Sequence, residues 1–192
     1  MASILMNEEA EKDQKLKELA VLICALCRDD KPFGKVKLNK LLFYVDFVAY
    51  RDLGHPITGQ EYQKLENGPA PRRLLPVIPS LSIPPGSDPD IVVQNISYYG
   101  LTQQRPIALR NPDTSKFTFE EIKLVEFVIN HFWGKNATEI SNESHKFIGW
   151  QLAGLREIIP YSIALVSNRG PTQSEREYGR RLEGLASECI SR

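Results

Sequence analysis

The sequence predicts a mainly α fold, a single compact helical domain over residues 1–192 with a small antiparallel β element in its middle. Three observations point there. Apolar residues recur at three- and four-residue spacing on both sides of the chain's centre, the pattern of helices that bury one face. Between these stretches lies a proline-rich segment that forbids a long uninterrupted helix. Short runs of β-branched and aromatic residues then gather between residues 91 and 109.

The first helix is expected over residues 8–28, where Leu16, Leu19, Ile23, Leu26 and Cys27 form a stripe and Glu11, Lys12, Lys15 and Glu18 cover the opposite side. Asp29-Asp30-Lys31-Pro32 stops it. A second helix is expected from Gly34 to Asp52, with Leu38, Leu41, Leu42, Val45, Val48 and Ala49 inward and Gly54 as its terminator. The β element is read as three pieces, Ile91–Val93, Tyr98–Leu101 and Pro106–Leu109, joined by polar turns. Residues 81–90, with Pro84-Pro85-Gly86, read as an exposed loop. Helices resume at Thr118, where the spacing to Glu121 is that of a capping box and Phe117 can staple onto Ile122. The same spacing joins Asn136 to Glu139, opening a short helix that carries Ser144 and His145, and joins Thr172 to Glu175 ahead of a closing helix over residues 172–192. Tyr178, Leu182, Leu185 and Cys189 stripe that last helix.

With 24 basic and 24 acidic side chains the formal charge is zero, which gives no electrostatic footprint for nucleic acid or an anionic membrane. Three cysteines cannot all pair and make no disulfide framework, so the cytoplasm is the expected compartment. The apolar start from Met1 to Met6 turns acidic at Glu8 and Glu9 too soon for a signal peptide. Cys24 and Cys27 have the spacing of a zinc or redox pair, but no second ligand pair follows and both fall in a helical apolar stripe, so they read as buried small hydrophobes. His55, His131 and His145 lack metal-ligand spacing, and no Gly-rich phosphate loop or nucleophile elbow is present. No cofactor is expected.

Asp46 interrupts an apolar run that begins at Leu41, and helical geometry places it on one face with Asn39 and Tyr50. A buried carboxylate demands hydrogen-bond partners, whether it serves structure or catalysis. Gly68-Pro69-Ala70-Pro71-Arg72-Arg73 reads as a proline-fixed turn, with Pro71 opening a short helix over Arg72–Leu75 and both arginines outward, available to a partner's carboxylate.

Taken together, Lys40-Leu41-Leu42-Phe43-Tyr44 with Asp46, then Gly54-His55-Pro56-Ile57-Thr58-Gly59, Glu61-Tyr62 and Gly68-Pro69-Ala70-Pro71, resemble the Panacea domain of the SocA-like antitoxin family. Glu143-Ser144-His145, Trp150 and Ile159-Pro160-Tyr161 are similar to that family's second signature, so the resemblance runs from about Leu16 to Leu165. Pro76 and Pro79 depart from it by breaking a longer expected helix. The resemblance implies a helical cytoplasmic module, also met among phage-associated proteins, that neutralises a cognate protein toxin by binding it. In the SocA-like branch it implies an adaptor that passes the toxin to a AAA+ protease. The competing reading is a small hydrolase in which Asp46 and His145 meet, with Glu61 or Tyr62. Under the binding reading the signature polar residues serve structure first, with Ser144 and His145 at a helix end and Tyr161 sending its hydroxyl into the same interior.

Overall fold

The computed structural model describes residues 2–72 and 90–166, together with 173, 174 and 177, with side chains from residue 9 onward. Helices α1 (Ala2–Leu26) and α2 (Lys35–Leu53) come first, followed by strands β1 (Tyr62–Leu65) and β2 (Gly68–Pro71). A long hairpin, β3 (Ile91–Tyr98) and β4 (Leu101–Ala108), precedes α3 (Phe119–Phe132), α4 (Ala137–His145) and α5 (Ile148–Leu152). The two-residue strand β5 (Ile158–Ile159) and a 3₁₀ turn over Tyr161–Leu165 complete it. Helix dominates, but two antiparallel sheets make this a mixed α and β architecture rather than a purely helical body.

The helical periodicities predict their elements well. Helix α2 ends where expected, with Gly54 in the left-handed region at φ 83° and its N–H returned to the Tyr50 carbonyl. Two of the three capping spacings form capping boxes, Thr118 with Glu121 on α3 and Asn136 with Glu139 on α4, and the third, Thr172 with Glu175, lies outside the described residues. The first helix is longer than the stripe suggested, starting at Ala2 because nothing between Ala2 and Glu8 is a breaker. Its far end meets Arg105 of β4, whose guanidinium donates to the carbonyls of Cys27, Arg28, Asp30, Lys31 and Phe33. One strand residue thereby satisfies carbonyls that the end of α1 and the following turn leave open. The expected helix over residues 172–192 and the loop over 81–90 lie outside the described residues, Asp90 and the three isolated positions apart.

Two β expectations need correction. The three pieces between 91 and 109 are two continuous strands in full register from Ile91↔Ala108 to Tyr98↔Leu101. Gln94, Asn95, Gln103 and Gln104, read as turn residues, lie along the strands, and the actual turn is Tyr99-Gly100. Both turn residues have positive φ, 47° and 77°, the pair of values a two-residue primed hairpin turn needs. The second correction is a three-stranded sheet of order β2-β1-β5, whose edge strand Gly68–Pro71 stands where the sequence suggested a turn. Pro71 ends strand β2 opposite Tyr62, and the short helix expected over Arg72–Leu75, Arg72 apart, lies outside the described residues.

Strand β2 holds two prolines because it is an edge strand. Arg72 donates its N–H to the Glu61 carbonyl, so residues 70 and 72 face β1 while Pro69 and Pro71 face away, where no ladder donor is missing. The core divides into two clusters that share α2. Leu38, Leu41, Leu42 and Val45 pack with Leu16, Leu19 and Ile23 of α1 and Val125 and Val128 of α3. On its other side Phe43 and Phe47 join Tyr62 and Ile159, with Phe147, Trp150 and Tyr161 packed against them.

Candidate functional site

Asp46 is fully buried on the Phe43 side of α2. Its carboxylate accepts from the Thr58 N–H at 2.7 Å, from the Thr58 hydroxyl, and from the Tyr62 hydroxyl at 2.7 Å. The Tyr161 hydroxyl stands 3.4 Å away and donates to the Gln60 carbonyl at 2.6 Å. Burial raises the Asp46 pKa, and the hydrogen bonds from Thr58, Tyr62 and Tyr161 only partly offset it. The same burial, with the Asp46 charge beside them, pushes both tyrosine hydroxyls well up. A proton on the carboxylate has a path to rest, since Tyr62 also reaches the Leu42 carbonyl at 2.9 Å. The cluster ties α2 to the 58–62 segment and to the 3₁₀ turn. With Asp46 sealed from solvent, it works as a strut.

A second group of signature residues gathers at the turn between β1 and β2. Lys40 is 3% exposed as a residue, and its ammonium donates to the outward-facing Pro69 carbonyl at 2.8 Å. Gly68, at φ 97°, lets the turn lie flat against it, because a Cβ there would stand 2.8 Å from Lys40 Nζ and collide with the Ser144 hydroxyl. Ser144 donates back to the Ser141 carbonyl at 2.7 Å, within its own helix. His145 stacks on Trp150 with centroids 4.1 Å apart, and the indole N–H donates to the Leu65 carbonyl at 3.0 Å. Desolvation, then the Lys40 charge, lowers the His145 pKa, and its Nε2 is buried without a partner. Lys64 lies over the Trp150 ring at 4.5 Å.

The fifteen signature candidates thus separate. Asp46, Tyr62 and Tyr161 form the strut, and Pro160 caps the turn that presents Tyr161. Lys40, Gly68, Pro69, Ser144, His145 and Trp150 form the second group. Asp46 and His145 are held by different partners, the first by Thr58, Tyr62 and Tyr161 and the second by the Trp150 ring, with no hydrogen bond between them. Tyr44 is a core ring, 4.5 Å from Phe132, with its hydroxyl pKa raised by burial. Arg72 pairs with Glu61 at 3.0 Å on the open surface, so the arginine read as free is already matched, and Glu61 points away from the strut. Arg73 lies outside the described residues. Cys24 and Cys27 are buried, as their stripe position suggested, and desolvation lifts both thiols, Cys27 to about 12.

Residues the sequence did not single out complete the picture. Lys37 and Asp30 make a buried ion pair at 2.6 Å, with Lys37 also donating to the Phe132 and Lys135 carbonyls. Thr58 supplies half the donors to Asp46. A groove of about 760 Å³ runs between the start of α2, the hairpin tip and the start of α4. Of its lining only Lys35 is charged, and Val36, Tyr99 and Leu101 stand exposed along it. Two buried acceptors there, Asn39 Oδ1 and Gln103 Oε1, have no donor. Among the described residues no cluster of His, Cys, Asp or Glu could hold a metal ion, and no helix is long and apolar enough to cross a membrane.

Neither the curated proteins nor the solved structures return a match to the chain. A family model described as the antitoxin SocA-like, Panacea domain matches residues 38–151, more than half of the 192 residues. The match runs from the first turn of α2 through the β1–β2 turn and the hairpin into α5, and so includes Lys40, Asp46, Gly68 and His145, while Pro160 and Tyr161 fall beyond it. With both signature groups packed around one helix and most of their residues inside the match, this chain belongs to the SocA-like Panacea antitoxin family.

Proposed function

We propose that this protein is a cytoplasmic antitoxin that neutralises a protein toxin by direct binding across the groove at the hairpin tip. The observation that carries the reading is the apolar lip of that groove. Tyr99 is 89% exposed and Leu101 74% exposed, both at the tip of a fully paired hairpin above a nearly uncharged wall. Interface centres are depleted of charge and enriched in tyrosine, and a preformed tip loses little ordering entropy on docking. Family membership supplies the kind of partner. Arg72, exposed and paired with Glu61, is not among the residues that line the groove, and its loss is expected to weaken binding only modestly.

The test is co-expression with the reading frame adjacent to its gene. The wild-type protein restores growth and co-elutes with that product, whereas a Tyr99→Ser, Leu101→Ser double variant loses both while melting within about 0.5 kcal/mol of the parent. Absence of a complex between the wild-type protein and the neighbour's product defeats the reading. Repeating the assay in a host lacking its AAA+ proteases separates occlusion, which persists there, from delivery to a protease, which does not.

A further inference from the structure

A second cavity, of about 400 Å³, opens beside the groove and shares Val36 and Asn39 with it. Its wall includes Lys40, Gly68, Leu65, Leu155 and Arg156, with Glu66 on the rim. Lys40 is the unusual member. Its ammonium has three N–H donors, and among the described residues it meets a single acceptor, the neutral Pro69 carbonyl, and no carboxylate. Buried charges in proteins are paired, because an unpaired one forfeits hydration without return. The Lys37 ammonium on the same helix shows the ordinary arrangement, with Asp30 and two carbonyls around it. Glu66 does not fill the gap, since its side chain is exposed and makes no ion pair with Lys40. Desolvation accordingly pushes Lys40 down to about 8.

Two further features belong to the same cavity. Arg156 holds a left-handed backbone at φ 65°, a conformation that costs a non-glycine residue energy and that recurs where function over-determines the backbone. Asn39 Oδ1 is a buried acceptor still lacking its donor. Counting the ionic groups of the wall, Lys40 and Arg156 against Glu66 leave one positive charge, which suits a monoanion better than a phosphate dianion. Leu65 and Leu155 provide apolar surface for the body of such a ligand.

We propose that this cavity binds a carboxylate that has an N–H donor and an apolar group close to it, the chemistry of an acylated amino acid or of a polypeptide's free C-terminus. Lys40 takes the carboxylate, Asn39 accepts from the N–H, and the two leucines cover the apolar group. The inference goes beyond the antitoxin reading and does not depend on it.

The test uses the full chain, labelled with ¹⁵N, titrated with N-acetyl-leucine and separately with N-acetyl-leucine amide, which differs only in lacking the charge. The acid is expected to shift the Gly68 amide resonance saturably and to raise the melting temperature, while the amide does neither. Lys40→Met should weaken binding of the acid at least about tenfold, as loss of a charged hydrogen bond implies. That variant also leaves the Pro69 carbonyl without its donor, so its own melting temperature is recorded before its binding is compared with the parent's. The wild-type comparison of acid with amide stands even if the variant fails to fold. Equal responses to acid and amide, or none to either, overturn the proposal and leave Lys40 as a strut for the Pro69 carbonyl. Mass spectrometry of acid released on denaturation supports a free small ligand, whereas tighter binding of a leucine-terminated peptide than of N-acetyl-leucine supports a chain end.

Discussion

Burial raises the proton affinity of Asp46 more than its hydrogen bonds lower it, and that inequality sets a direction for stability against pH. A carboxyl whose folded pKa lies above its ordinary 3.8 favours the folded state most when protonated. Its contribution is complete below 3.8 and is lost as the pH rises from there through the raised value. Asp46→Asn keeps the shape and an acceptor for the Thr58 N–H but cannot titrate. Urea midpoints of the two proteins should therefore shift in favour of Asn as the pH climbs above about 4, with the other titrating groups cancelling in the difference. A difference that moves toward the wild type instead would show that the hydroxyls outweigh the burial. Asp46→Ala behaves otherwise at any pH. It strands the Thr58 N–H in a closed chamber, an orphan costing about 1–3 kcal/mol, while the Tyr62 hydroxyl keeps the Leu42 carbonyl.

Among the elements, α2 is the one whose stripe was plainest in the sequence, and its packing makes the corresponding prediction firm. Leu42 is wholly buried, so Leu42→Ala should cost about 2–5 kcal/mol in a denaturant melt, and a variant melting like its parent would contradict the core assignment. At the start of α3, Thr118→Ala removes the acceptor for the Glu121 N–H and should cost about 1 kcal/mol. These helices were legible because period, cap and stop signal all lie within a few adjacent residues. The β2-β1-β5 sheet was not. Its prolines argue locally for a turn, and what makes Gly68–Pro71 a strand is nonlocal, namely pairing with Tyr62–Leu65, the Lys40 ammonium on the Pro69 carbonyl, and β5 arriving from residues 158–159. Hairpin polarity misled in a similar way, since glutamines and asparagines on an exposed ribbon look like turn residues until the partner strand is known.

Across the whole molecule, the polar signature was readable as a set but not as an arrangement. Asp46 and His145 stand out in the sequence, yet only folding shows that they serve different neighbourhoods, one sealed by hydroxyls and one beside a cavity. The unsatisfied Lys40 could not have been foreseen, because a missing partner is a property of the assembled surroundings. Helix α2 stands between those neighbourhoods, giving Leu41 and Val45 to one core cluster and Phe43 and Phe47 to the other. Neither cluster has a wall of its own on that side, so loosening one exposes apolar surface of the other. The chain should then unfold in a single concerted step. With Trp133 changed to Phe, fluorescence from Trp150 reports the aromatic cluster while far-ultraviolet dichroism reports the helices, and the two midpoints should coincide. Separated midpoints would mean that the clusters melt independently. In hydrogen-exchange terms, α2 amides facing either cluster should open only with global unfolding, so the groove and the cavity on this helix share one lifetime and fail together on heating.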